Sequence, residues 1–196
     1  MPAMLLMTGA SLAAVMVTVV DCEAHRFGVP PSHTWTATTQ VAAGVGPVGT
    51  LEGTASRLAI AAEAAKAVYR GQAPHLKELS GVDLGKIRSS TLSKAIDLGD
   101  KVIEQIVRRA AEEVGRGIGS LINILAPDIV VLGGGLVEAM PKLYLESVRE
   151  GVRRNVLPSL ADCGKLKVSE LGDYAGATGA AAWVRQETAP QEIKKV

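Results

Sequence analysis

Three consecutive glycines, Gly133-Gly134-Gly135, directly follow the apolar run Ile129-Val130-Val131-Leu132 and lead into Leu136-Val137. Glycine has no Cβ, so such a turn lets backbone approach a ligand closely and offers N–H groups to anionic or polar atoms. A buried strand that delivers a glycine turn is a nucleotide-site element. The same turn also serves as a tight strand-to-helix connection, and by itself the motif does not separate the two readings. No GxxxxGK[ST] is present, which rules out P-loop chemistry. Cys22 and Cys163 are the only cysteines. They are too few for a disulfide framework or an all-cysteine metal site, and they fit a reducing, cytoplasmic setting.

The elements that must hold this turn are readable on either side of it. A long helix is expected from about Asp100 to Leu125, because Ile103, Ile106, Val107, Ala110, Val114, Ile118, Leu121 and Leu125 recur on one face. Gly115, Gly117 and Gly119 each cost that helix roughly 1 kcal/mol relative to Ala. Close approach by a neighbouring backbone is the expected compensation. Ala126-Pro127-Asp128 breaks the helix, and Ile129–Leu132 reads as a strand buried on both faces. Pro141 suits the first turn of a helix running to about Asn155. Leu166 to Leu171 alternates like a strand, and Tyr174 to Val184 is a helix of small residues. Upstream, Leu51 to Tyr69 reads as one helix ended by Gly71 and Pro74, and Ser90 as the cap of a short helix, Thr91 to Ile96. The order helix–strand–glycine turn–helix–strand–helix predicts an α/β fold.

With 196 residues the chain can bury one substantial core, either one domain or one lobe of a larger protein. A net charge of +1 gives no electrostatic case for nucleic acid or an anionic membrane. Charge is unevenly spread, since residues 1–50 hold only Asp21, Glu23 and Arg26. Three regions are expected: a degenerate N-terminal segment of strands and loop over 1–50, a well-specified α/β lobe over 51–185, and a polar tail over 186–196. The apolar stretch Ala3 to Val20 has no basic flank, and its Val15–Val20 end is dense in β-branched residues. Buried strands near Met4–Met7 and Ala14–Val20 are therefore expected rather than a membrane anchor. Phe27 to Val48 holds no period and reads as loop.

The run ILAPDIVVLGGGLVEAMPKLYLESVREGV resembles the adenosine-side segment of the ROK family (repressors, open reading frames, kinases) of the actin-like ATPase superfamily. EEVGRGIGSLINILAPD, ELGDYAGATGAAAWV and GTLEGTASRLAIAAEAA resemble other segments of that family, in its order, so the likeness runs from about Gly46 to Val184. It implies the C-terminal lobe of an actin-like (ribonuclease H-like) α/β fold, a mixed sheet with flanking helices. It also implies ATP with Mg as phosphoryl donor, a hexose (often glucose) as acceptor, homodimer contacts, and Gly133, Gly134 and Gly135 on the nucleotide side.

Residues 1–45 fit the family only by position. Where the family has a GTGxGGG phosphate loop, this sequence keeps Thr8 and Gly9 and replaces most of the other glycines. Pro30-Pro31-Ser32-His33 stands at the E-x-G-H segment, so His33 matches the family's sugar-binding His and Pro30 replaces its Glu. Glu52 matches the second sugar-side Glu. The CxCGxxGC zinc motif has Ala43, Val45 and Thr50 at its thiolate positions. One histidine is not a structural zinc site, so no zinc is expected. The family's DxGGT motif and catalytic Asp match no residue of this sequence. The isolated chain is therefore expected to show nil or trace turnover, with a non-catalytic dimerisation or interaction module as the alternative. A repressor reading needs a helix-turn-helix and a basic face, and the sequence offers neither.

Overall fold

The computed structural model describes residues 4–10, 14–20, 34–38 and 50–188, with side chains described from Thr50 to Arg185 except at Asp173 and Ala175. Strands β1 (Met4–Ala10), β2 (Ala14–Val20) and β3 (Thr34–Thr38) precede helices α1 (Leu51–Ala55), α2 (Arg57–Tyr69), α3 (Pro74–Ser80), α4 (Ser89–Asp97) and α5 (Lys101–Leu125). Strand β4 (Ile129–Gly134), α6 (Gly135–Ala139), α7 (Pro141–Asn155), β5 (Lys165–Val168) and α8 (Ala175–Thr188) complete the chain. The five strands form one mixed sheet in the order β3-β2-β1-β4-β5, antiparallel on the β3–β2–β1 side and parallel across β1–β4–β5. The apolar stretch near the start thus supplies the antiparallel pair β1 and β2. No described helix is long and apolar enough to cross a membrane.

The periodicity of α5 is realised as expected: Ile103, Val107, Ala110, Ala111, Val114, Ile118 and Ile122 are all buried along one face. They meet α7, whose Tyr144, Ser147, Val148 and Gly151 are buried against them. Glycine makes the contact possible. A Cβ at Gly115 would collide with the Val148 carbonyl oxygen and lie 2.9 Å from Gly151 Cα, and a Cβ at Gly151 would strike the Glu112 carbonyl in turn. A Cβ at Gly119 would lie 2.9 Å from Asn155 Cβ, whereas Gly117 meets only Leu51 Cδ2 at an ordinary 3.4 Å. Two of the three helix glycines therefore serve close backbone packing.

Polar groups fix the ends of these helices. Asn123 Nδ2 donates to the Asn155 carbonyl (2.9 Å), and Asn123 Oδ1 accepts from Leu157 N (2.9 Å), clamping the end of α7 to α5. The Asp100 carboxylate, only 3% exposed, accepts from His75 N (3.3 Å) and Leu76 N (2.8 Å). It supplies the N-terminal cap that α3 lacks locally, since Ala73 at that position has no side-chain acceptor. At the other end of α5, Ala126 takes a left-handed conformation (φ 44°) before Pro127.

Several elements differ from expectation for local reasons. The expected helix 51–69 is two helices, because Ser56 is extended (ψ 157°) and its hydroxyl caps α2 by accepting from Ala59 N at 3.2 Å. Pro74 does not end a helix but opens α3, where its missing N–H costs nothing. The helix assigned to Thr91–Ile96 begins at Ser89, with Arg88 rather than Ser90 at the cap position and no side-chain cap bond. Strand β3 lies within the stretch read as loop: its five residues TWTAT alternate Thr with Trp35 and Ala37, a strand pattern too short to stand out among the surrounding glycine and proline, and they pair with β2. β4 is buried on one face, not two: Val130 and Leu132 enter the core, while Ile129 and Val131 stay half-buried. β5 is shorter than the alternation suggested, ending at Val168.

Candidate functional site

The parallel pairing of β1 with β4 places Thr8 opposite Gly133 and Gly9 opposite Gly134. Two segments more than a hundred residues apart in sequence thereby meet at the C-terminal ends of adjacent parallel strands. In open α/β sheets this is where ligands bind. Gly134 has φ 110°, a conformation L side chains rarely adopt, so glycine is required there by the backbone itself. Gly135 begins α6 and is exposed.

Helix α4 closes one side of this turn. A Cβ on Gly135 would lie 3.2 Å from Ser89 Oγ, so the Ser89 hydroxyl already occupies the space beside the glycine. Ser93 Oγ donates to the Ala139 carbonyl at 3.1 Å, tying α4 to the end of α6. Neither serine was singled out from sequence. The run Ser89-Ser90-Thr91-Leu92-Ser93 signals only a helix start, and nothing local shows that it faces a turn some forty residues on.

The sugar-side candidates are placed less completely. Glu52 is half-buried in the first turn of α1, where the helix end favours a carboxylate. α1 packs against α2, α5 and β2, so Glu52 belongs to the part of the molecule beside the antiparallel strands, not to the glycine turn itself. Thr50, at the position of the family's third zinc thiolate, is the N-cap of α1: its Oγ1 accepts from Gly53 N at 3.1 Å. His33 and Pro30, with Ala43 and Val45, lie outside the described residues. Among the described residues no three His, Cys, Asp or Glu side chains are grouped to hold a metal.

Groups with displaced titration lie on the α5–α7 pair and mark structure there. Glu104 is held below the usual carboxylate range, first by its hydrogen bond from Lys101 and then by that from Arg108. Glu150 is pulled down to about 2, chiefly by the Arg153 guanidinium and further by Arg154. Burial pushes the Tyr144 hydroxyl up to about 12. A cavity of about 160 Å³ between α2 and α5, lined in part by Arg70, Gln72, Gln105 and Arg109, is smaller than the roughly 300 Å³ at which ligand pockets begin, and it contains none of the candidate residues.

Comparison with known proteins gives a family match over most of the chain. The ROK family model matches residues 31–187. Among curated proteins, a xylose repressor from Caldicellulosiruptor bescii is 30% identical over 139 residues, which is 71% of this chain and 34% of that protein. A glucokinase from Halalkalibacterium halodurans is 29% identical over 145 residues, covering 72% of this chain and 42% of that one. The chain thus spans less than half the length of these relatives. Among solved structures, the ROK family glucokinase from Streptomyces griseus, in complex with glucose and AMPPNP, superposes with a TM-score of 0.71 at 20% identity, over 94% of this chain and 61% of that one. The ROK hexokinase from Thermus thermophilus gives 0.65 at 24% identity, over 95% and 58%. The mixed sheet and its flanking helices are therefore the actin-like α/β fold of the ROK sugar kinases.

Proposed function

Because the chain belongs to the ROK family, we propose that it is the nucleotide-side lobe of an ATP-dependent hexose kinase of glucokinase type. The observation that carries this reading is the β1–β4 register, which sets Thr8 and Gly9 beside Gly133 and Gly134. Backbone N–H groups at a glycine junction of this kind can meet the phosphates and the adenosine of ATP, although the residues that replace the other glycines after Gly9 bring side chains that crowd a phosphate. Ser89 adds a hydroxyl beside Gly135. Glu52 and His33 are the sugar-side residues, with ATP used together with Mg²⁺.

Phosphoryl transfer to a hydroxyl needs the acceptor oxygen held next to a proton-accepting carboxylate and in line with the γ-phosphate. Glu52 can fix a sugar hydroxyl by accepting its hydrogen bond, but no acid in this sequence matches the family's catalytic base. The 196 residues by themselves are therefore a half-site that binds without turning over. Titration calorimetry with ATP should give binding that Gly134→Val removes, while thermal unfolding monitored in parallel reports any loss of fold. A coupled ADP-release assay with glucose and ATP should give nil or trace rates. No ATP binding, or robust turnover by this chain alone, would sink the reading. A second, non-catalytic reading, an interaction module of ROK origin, is favoured by the replacement of the family's sugar-side Glu by Pro30, and binding of neither ligand would support it.

A further inference from the structure

The small cavity between α2 and α5 gathers four hydrogen-bond donors from two elements. Arg70 is the C-cap residue of α2 and Gln72 lies just beyond it, while Gln105 and Arg109 sit one turn apart on α5. All four are exposed, and the deeper lining is apolar: Ala67 is buried, Val102 and Ile106 half-buried. The chain path at the end of α2 builds this rim. Gly71 takes φ 72°, and Gly71 N and Gln72 N donate to the Val68 and Ala67 carbonyls, each at 2.9 Å. The last carbonyls of α2 are thereby satisfied, so this helix end opposes an anion less than bare carbonyls would.

Charge around the cavity does not cancel. Of the three arginines on α5, Arg108 is ion-paired with Glu104 at 2.9 Å and Arg116 with Glu113 at 3.2 Å. Arg109 forms no ion pair among the described residues, and neither does Arg70. The acid one turn beyond Arg109, Glu112, is held by Arg154 at 3.3 Å. Glu63 lines the same cavity, but Lys66 binds its carboxylate at 2.6 Å. Two guanidiniums therefore line one opening with no counter-charge left for either. Like charges so placed repel each other, and an anion between them turns that repulsion into attraction.

Size and charge select the ligand. About 160 Å³ suits a group of a few non-hydrogen atoms and is too small for a nucleotide. A carboxylate would bring one negative charge to two guanidiniums. A phosphate group brings nearly two at neutral pH, with three acceptor oxygens for the guanidinium forks and the amides. We propose that this cavity binds a phosphate group, free or as the headgroup of a small ester, held by Arg70 and Arg109 and oriented by Gln72 and Gln105. It shares no residue with the glycine turn, Ser89 or Glu52, so it is a second site that stands independently of the kinase reading.

Titration calorimetry of the full 196 residues with inorganic phosphate, glycerol phosphate and acetate tests the assignment. Phosphate or its ester should bind, and the tighter of the two identifies the source of the group. Acetate should bind at least about tenfold more weakly, since it carries half the charge. Arg70→Gln and Arg109→Gln should each weaken phosphate binding by about tenfold or more, because each removes a charge-assisted contact. Both positions are exposed, so thermal unfolding of these variants without phosphate should match the parent. Saturating phosphate should raise the parent's midpoint and leave theirs in place. Amide NMR shifts on adding phosphate should cluster at 67–73 and 102–109. The ester's affinity should rise as pH passes upward through about 6, where its second proton leaves. No phosphate binding, binding indifferent to both arginine variants, shifts confined to 133–135, or acetate binding as tightly as phosphate would each overturn the proposal.

Discussion

Helices α5 and α8 both carry glycines at helical positions, and the two regions treat them in opposite ways. At Gly115 and Gly119 the missing Cβ is filled by α7, with Val148, Gly151 and Asn155 pressed into the gap. At Gly176 and Gly179 the gap is open. The propensity cost is similar in both helices, but only in α5 is it offset by tertiary contact. A glycine in a helix therefore does not by itself say that something approaches; the neighbour has to be found in the packing, as α7 is for α5.

The contrast is broken most directly at the α5–α7 crossing. Gly151→Ala should destabilise the chain by about 1–3 kcal/mol, the usual cost of overpacking, as read by urea denaturation. Since the colliding atoms are backbone, repacking of side chains cannot relieve it. An unchanged midpoint would show the crossing to be looser than described. Asp100→Ala should cost about 1–2 kcal/mol, because two N–H groups at the start of α3 lose their acceptor in a buried site.

A pH titration tests the same body from another side. Burial raises the Tyr144 hydroxyl from 10 to about 12, so its neutral form is the one the fold tolerates. Below pH 10 both states keep the proton and stability is unaffected. From pH 10 towards 12 the unfolded chain ionises first, and stability falls on the order of 1.4 kcal/mol per unit. In Tyr144→Phe that share of the alkaline loss should disappear, and an identical pH profile for the two proteins would contradict the burial. The smallest effect is expected at α8. Gly179→Ala should leave the cooperative unfolding of the free chain within about 0.5 kcal/mol of the parent, since nothing packs there, while raising local helicity by circular dichroism. A large loss would mean that α8 is held by the body after all.

Much of the fold was legible in the residues because the signals were local or periodic. The three-four spacing of Ile103, Val107, Ala110 and Ile118 gave α5 its face, Pro141 gave α7 its start, and the run Ile129–Leu132 gave β4. What escaped was decided by partners remote in sequence. Ser56 divides a continuous helical pattern because its hydroxyl is better used as a cap. Strand β3 carries only five alternating residues, TWTAT, in a stretch rich in glycine and proline, and its pairing with β2 is what marks it. Ser89 reaches the glycine turn only because α4 lies against α6.

For the site itself the division is the same. The glycine turn, Thr8-Gly9, Glu52 and the non-thiolate residues at 43, 45 and 50 were readable directly, because these are matters of residue type and order. That Thr8 and Gly9 stand beside Gly133 and Gly134, that Thr50 caps α1, and that α8 is exposed along its described length came from the folded arrangement. Register between parallel strands is set by hydrogen bonds and packing across more than a hundred intervening residues, and no local pattern encodes it.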